Sequence, residues 1–527
     1  MPRIVVHTPS GSLEGKEEKR GLVFRGIPFA SPPVGPGRFR APEAMPAWKG
    51  VRQATHFGPS AQQTPQTLLA ARRLLGTYDD NSEDCLYLNI WTPAADNRPR
   101  PVMVWIHGGA FLLGSGATAL YSGSRLAHRG DVVVVSLNYR LGVLGSFNME
   151  TLQGRPDEIE PNLGIRDQIA ALQWVRDHIA CFGGDPENVT VFGESAGAMS
   201  VGTLLGTPAA EGLFHRAILQ SGASSNVSEH EISERVGRAF LRYVGLPRAN
   251  PAQLRRVPVG RLLTAQTATT RELSVGVANL PWQPSIDGKL LAEQPLQNIR
   301  TSGKTPVPVL LGSNLDEWAL FMAPDSAGRR LDEAGLDRRV LRVLAANAID
   351  PNLVDAFRET YNESLGAPRD RWSQFMSDMV FHAPAGILAD TLSRAGGEVY
   401  FYRFDGQLPL VGSYTGAFHG LDIPFVFGTV RKGPLAATMG WSSEVRTLSR
   451  RMQKSWARFA HGEVPGHEGL PAWPRWNPVT RQALRLAGKP GVLEDPHARA
   501  RELWAPLLTP PPALSSVDGQ ASRVARE

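Results

Sequence analysis

The chain has 527 residues, 42% hydrophobic and 20% charged, with a formal net charge of +6. That length and apolar content support a large buried core and exclude a disordered chain. The basic residues are dispersed, with no run of five or more, so no nucleic-acid partner is expected; nor does any stretch of about 18 apolar residues offer a membrane span. Length alone suggests about two to four domains, yet apolar runs alternate with turn residues from Ile4 to Leu507 without a linker. The chain therefore reads as a single α/β domain over residues 1–508 with long insertions, followed by a Pro- and Ser-rich tail, 509–527, expected to be disordered.

In chain order, Gln62 to Arg73 is polar and Ala-rich and reads as an exposed loop. Buried strands are expected at Leu86–Trp91, Val102–Ile106, Val132–Leu137, Val189–Phe192, Ala217–Leu219, Val307–Leu311 and Val399–Tyr402. Several are apolar at consecutive positions, as parallel strands covered on both faces must be. Between them, Asn162 to Ala180 has a helical stripe of Ile165, Ile169, Leu172 and Ile179, with Asn162 placed to cap its start. The pattern is α/β with a mostly parallel central sheet flanked by helices, and catalytic loops are expected at the carboxyl ends of the strands.

Two of those strand ends carry chemistry. Val189–Phe192 runs into Gly193-Glu194-Ser195-Ala196-Gly197, and a small-residue stretch to Gly206 follows. A G-x-S-x-G between strand and helix puts the serine on a sharp, strained bend with its Oγ exposed, and small flanking residues let strand and helix pass closely. Val102–Ile106 runs into His107-Gly108-Gly109-Ala110-Phe111. This H-G-G-x form suits a loop whose N–H groups receive a developing oxyanion, and the N–H of Ala196 is a third candidate donor.

A nucleophilic serine needs a base, and the base an orienting carboxylate, in chain order Ser, acid, His on this fold. Among later histidines, His419 stands out in the loop Gly416–Gly428. His215 directly precedes a strand and reads as structural, while His230 and His461 sit in polar surroundings and read as exposed. For the acid, Asp316 and Glu317 both follow the strand ending at Leu311, and the residues alone do not choose between them. No His/Cys cluster has metal-ligand spacing, and neither a metal nor a cofactor is expected.

These motifs, together with Glu83-Asp84-Cys85-Leu86-Tyr87-Leu88-Asn89-Ile90-Trp91-Thr92-Pro93, Asn138-Tyr139-Arg140-Leu141-Gly142 and Trp282-Gln283-Pro284-Ser285-Ile286-Asp287-Gly288, resemble the type-B carboxylesterases, the group of the cholinesterases and bacterial para-nitrobenzyl esterases. The resemblance runs from about Gly26 to Trp504. It implies an α/β-hydrolase fold whose insertions form an active-site gorge, and a serine carboxylesterase working through an acyl-enzyme on a small-molecule ester. It further implies Ser195 as nucleophile, Glu317 as acid, His419 as base, and Gly109, Ala110 and Ala196 as oxyanion donors. Arg38 with Glu83, and Arg140 with Asp167, match the family's structural ion pairs, and Glu194 matches an acidic neighbour of the nucleophile. Phe111, Trp282 and Trp318 are read as core residues, with cavity walls the alternative.

Three departures stand out: Trp318 where the family usually has Gly, Asp422 where Glu is commoner, and Cys85 without its disulfide partner. With two cysteines in all and no signal-peptide-like N-terminus, the expectation is a cytoplasmic, bacterial-type enzyme, monomeric or homodimeric. The rival readings are the same triad acting on carbamates, amides or a specialised xenobiotic ester, and a non-catalytic cholinesterase-like interaction domain.

Overall fold

The computed structural model describes residues 3–64, 80–148, 159–273, 280–322, 324–347, 349–406, 416–430 and 442–508. The expected tail 509–527, and residues 65–73 of the expected loop, lie outside the described residues. The central sheet contains, in chain order, β1 (Arg3–Thr8), β2 (Gly11–Glu18), β3 (Gly21–Pro28), β4 (Val51–Gln53), β5 (Tyr87–Thr92), β6 (Arg100–Ile106), β7 (Val133–Leu137), β8 (Gly184–Glu194), β9 (Arg216–Gln220), β10 (Val309–Asn314), β11 (Val399–Phe404), β12 (Gln482–Leu486) and β13 (Gly491–Glu494). Across the sheet the order is β1-β2-β3-β5-β7-β6-β8-β9-β10-β11-β12-β13, with β4 beside β2. From β7 to β12 every neighbouring pair is parallel. The other neighbouring pairs along that order are antiparallel, while β4 runs parallel to β2.

The parallel strands are apolar on both faces because both are covered. Along β6, Val102, Val104 and Ile106 pack into the core on one side, against Ile165, Ile169 and Leu172 of helix α1 (Leu163–His178). Met103 and Trp105 alternate to the other side, a cluster that includes Met452 and Trp456 of a later helix, Ser443–Ala460. The period of two assigns the strand's side chains to the two layers, and each large side chain so buried stabilises the fold by roughly 1.5–3 kcal/mol.

The expected ion pairs form. Arg140 Nε and Nη2 donate to the Asp167 carboxylate at 2.8 and 2.6 Å, with Asp167 fully buried. Arg38 Nε donates to Glu83 Oε2 at 2.6 Å. The capping role expected of Asn162 is not observed. Its backbone is left-handed (φ 56°, ψ 35°), and its side chain makes no cap bond. Instead its amide donates to Ser285 O at 2.8 Å and Asp287 Oδ2 at 2.9 Å, and its Oδ1 accepts the Ser285 N–H. A long-range contact with the 282–288 segment has displaced the local one.

Candidate active site

Strand β6 is followed in chain order by β7 on one side of it in the sheet and then by β8 on the other. The order in which strands are added to the sheet therefore reverses between β6 and β8, the position where open α/β sheets form a crevice at their carboxyl ends. The register pairs Ile106 with Gly193, which sets the His107–Phe111 loop beside Ser195. Ser195 has φ 56° and ψ −127°, a backbone region that costs a non-glycine residue strain. It is held there by its N–H to Gln220 O at 2.9 Å and by its carbonyl, which accepts the Met199 N–H at 2.8 Å at the start of helix α2 (Ala196–Leu205). A Cβ at position 197 would lie 2.0 Å from Ile106 O, so only glycine lets α2 pass the end of β6.

The loop after β6 is anchored from several sides. Tyr139 donates from its hydroxyl to His107 O at 2.8 Å and stacks on the His107 ring at 4.6 Å. Gly109 O accepts the N–H groups of Leu112 and Leu113, each at 3.0 Å. Ala110 and Phe111 are both left-handed, at φ 56° and 59°. A Cβ at Gly108 would stand 3.0 Å from Ser195 Cβ, which measures how closely the loop skirts the serine. Ala196 is the first residue of α2, where helix geometry leaves an N–H without an intrahelical acceptor.

The two candidate carboxylates have different partners. Glu317 is fully buried; its Oε2 lies 2.7 Å from His419 Nδ1 and its Oε1 accepts the Asn314 N–H at 2.7 Å. Asp316 faces the other way: its Oδ2 accepts the Ala417 N–H at 2.8 Å and its own N–H donates to Ala417 O. It ties the histidine loop to the end of β10. Asp422 is occupied by Gln220 Nε2 at 2.7 Å and the Tyr402 hydroxyl at 3.1 Å, and burial and Glu317 push its carboxyl up to about 6. His215 Nδ1 accepts the Val189 N–H at 3.1 Å, and His230 and His461 are exposed.

With Nδ1 bonded to Glu317, His419 turns Nε2 toward the cavity that Ser195 also lines. Among the described residues no hydrogen bond joins Ser195 Oγ to Nε2. Nε2 instead lies 3.2 Å from Glu194 Oε1. Burial alone would lower the His419 pKa, but the charges of Glu194 and Glu317 outweigh it and raise it above the usual histidine range. Burial raises Glu194 as well, against the pull of His419.

The sequence model of the Carboxylesterase family matches residues 2–504. The chain belongs to the carboxylesterase family. It is 38% identical over 514 residues to the para-nitrobenzyl esterase of Bacillus subtilis strain 168, covering 96% of this chain and 99% of the relative. It is 35% identical over 506 residues to the human cocaine esterase, covering 92% and 87%. The solved structure of a Geobacillus stearothermophilus carboxylesterase superposes with a TM-score of 0.84 at 38% identity, over 95% of this chain and 99% of that one. The fold is that of the α/β-hydrolases, and the protein is a serine carboxylesterase, a carboxylic ester hydrolase.

The esterase's cavity has a volume of about 260 Å³ and is walled chiefly by apolar side chains, among them Leu113, Leu280, Phe321, Val380 and Phe381. Phe381 and Phe321 pack on the His419 ring with centroids at 4.7 and 5.3 Å. Phe111, Trp282 and Trp318 are core residues: Trp282 packs on Phe240, and Trp318 on Phe321 behind the cavity wall. Sequence reasoning missed Phe321, Val380 and Phe381, because no local pattern marks which apolar side chain of a turn or helix faces the site rather than the core. Among the described residues one group has metal-ligand composition, Asp378, His382 and His497. Its imidazoles are stacked 3.9 Å apart at 23°, so their in-plane lone pairs run side by side rather than converging on one tetrahedral centre.

Proposed function

We propose that this esterase works through Ser195 as nucleophile, His419 as general base and acid, and Glu317 as the orienting carboxylate, with Gly109, Ala110 and Ala196 donating to the oxyanion. The observation that carries the reading is the 2.7 Å Glu317–His419 pair opening onto the same cavity as Ser195. His419 Nε2 takes the Ser195 proton as Oγ attacks the ester carbonyl, and the three N–H groups bind the oxygen as it becomes negative. Nε2 then gives that proton to the departing alcohol oxygen, leaving an acyl-serine. Water attacks the acyl carbon, losing its proton to Nε2; the C–O bond to serine breaks, and Ser195 recovers a proton from His419.

The cavity's apolar walls support uncharged, apolar esters as the substrate class, and the relatives' names, para-nitrobenzyl esterase and cocaine esterase among them, are consistent with esters bearing an aromatic group. Two free cysteines, one of them buried, support a cytoplasmic, bacterial-type enzyme. The test is kcat/KM across aryl esters of increasing acyl length, with an aryl carbamate, an anilide and an anionic ester included. Neutral short- and medium-chain esters are expected to lead the series. A carbamate or anilide turned over faster than every ester would overturn the ester assignment of the cavity.

A further inference from the structure

Beside the turn that carries Glu317, outside the cavity lining, lies a buried polar cluster that the proposed reaction leaves unused. Asp378–His382 forms a turn of π-helix between two α-helices, Pro368–Ser377 and Ala383–Arg394; such turns occur often at functional sites. This segment grips the acid-bearing turn at both ends. Ser377 Oγ accepts the Trp318 N–H at 3.0 Å, and His382 Nε2 lies 2.8 Å from the Asn314 carbonyl oxygen. Asn314 is the residue whose N–H holds Glu317 Oε1.

The partners fix the protonation of His382. A carbonyl can only accept, so Nε2 carries a hydrogen. Nδ1 lies 2.8 Å from Asp378 Oδ1, and Asp378 also accepts from the Tyr361 hydroxyl at 3.1 Å and Gln374 Nε2 at 2.8 Å. Both oxygens of Asp378 thus act as acceptors, and Nδ1 completes the set as a further donor, so it carries a hydrogen too. We propose that His382 is a positioning residue: a buried imidazolium, anchored by Asp378, that fixes the main chain at Asn314 and thereby orients the Glu317 carboxylate toward His419. The inference rests on the assignment of Glu317 and His419 given above.

The charged and titratable groups around His382 agree with this. Burial would lower its pKa, but Asp378 on its own turn and Glu317 on the acid turn outweigh it and raise it. His497, stacked on its outer face, is held well below the histidine range by burial and by the charges of His382 and Arg403, so it stays neutral. Tyr361, whose own pKa burial raises, serves as a donor to Asp378.

The test compares wild type with His382→Gln, Asp378→Asn, Glu317→Gln and the His382→Gln/Glu317→Gln double variant, by kcat, KM, melting temperature and the pH profile of kcat/KM. His382→Gln should lower kcat by roughly tenfold to a hundredfold, the scale of a small misplacement of a working group, with KM little changed. Losing a positive charge removes opposition to protonating His419, so the acid limb should move to higher pH. In the Glu317→Gln background the same change should cost much less, because the group it positions is gone. A folded His382→Gln enzyme with wild-type kcat and an unmoved acid limb would overturn the proposal, as would equal losses in both backgrounds. A near-silent Glu317→Gln would instead overturn the triad assignment beneath it. Should the variants fail to fold, ¹⁵N–¹H spectra of the wild-type histidines decide. A doubly protonated buried ring at neutral pH is expected, and a neutral His382 would refute the inference.

Discussion

Replacing Glu194 by Gln should move the acid limb of kcat/KM to lower pH. In the proposed mechanism His419 acts as a base only when Nε2 is unprotonated, and the Glu194 carboxylate, 3.2 Å away, favours the protonated ring. At that separation and an effective dielectric near 20, a full negative charge contributes about 5 kcal/mol, equivalent to nearly four pKa units. That is an upper bound. Burial raises Glu194 to about 8, still below His419 at about 9, so it is largely ionised where His419 titrates, and a shift of at least about one unit, below that bound, is expected. The sign follows from the same partition: His419, raised by Glu194 and Glu317, loses one of the charges that raise it, deprotonates at lower pH, and stays competent further into acid. The assay is initial-rate hydrolysis of a p-nitrophenyl ester, read at the isosbestic wavelength of the product across the pH range. An acid limb that stays in place, or moves to higher pH, would refute the idea that Glu194 sets the charge on the base.

Glu317→Gln should cost up to roughly 10⁴-fold in kcat, since an amide can hold the wrong imidazole tautomer. Asp316→Asn keeps an oxygen to accept the Ala417 N–H and should stay within a few-fold of wild type; comparable losses in the two purified variants would count against Glu317. Gly197→Ala places a Cβ 2.0 Å from Ile106 O, and forcing α2 away from β6 should cost about 1–3 kcal/mol or more. Its melting temperature and kcat should fall together, and a variant unchanged in both would mean the close packing is not needed. Arg140→Ala leaves the fully buried Asp167 carboxylate without its partner and should destabilise the fold by about 3–5 kcal/mol in urea titration; a loss under about 1 kcal/mol would place that pair among the weak ones.

What the sequence disclosed was local. Consecutive apolar runs such as Val102–Ile106 mark buried strands because every side chain there is covered, and the spelling around Ser195 follows from the lack of room at position 197. The outer strands β1 to β4 were silent for the opposite reason: β2, for one, is only intermittently buried and its sequence shows no clean apolar alternation. Asn162 misled because its side chain had two possible uses, a cap within its own helix and a bridge to Ser285 and Asp287, and sequence spacing displays only the first. The choice between Asp316 and Glu317 needed the family resemblance, since adjacent residues in a turn point in different directions that composition does not record. His382 lies 68 residues from the carbonyl it meets, and its chemistry exists only once β10 and the turn before Ala383 are packed together.

The central claim is that Ser195 carries the acyl group, and the most direct measurement is intact-protein and peptide mass spectrometry after a phosphonate inhibitor or a rapidly quenched aryl ester. Wild type should gain one adduct per chain, on the peptide containing Ser195. Folded Ser195→Ala should gain none and lose on the order of 10⁴-fold or more in kcat. An adduct on another residue, or a folded Ser195→Ala enzyme that keeps a substantial fraction of wild-type turnover, would contradict the account.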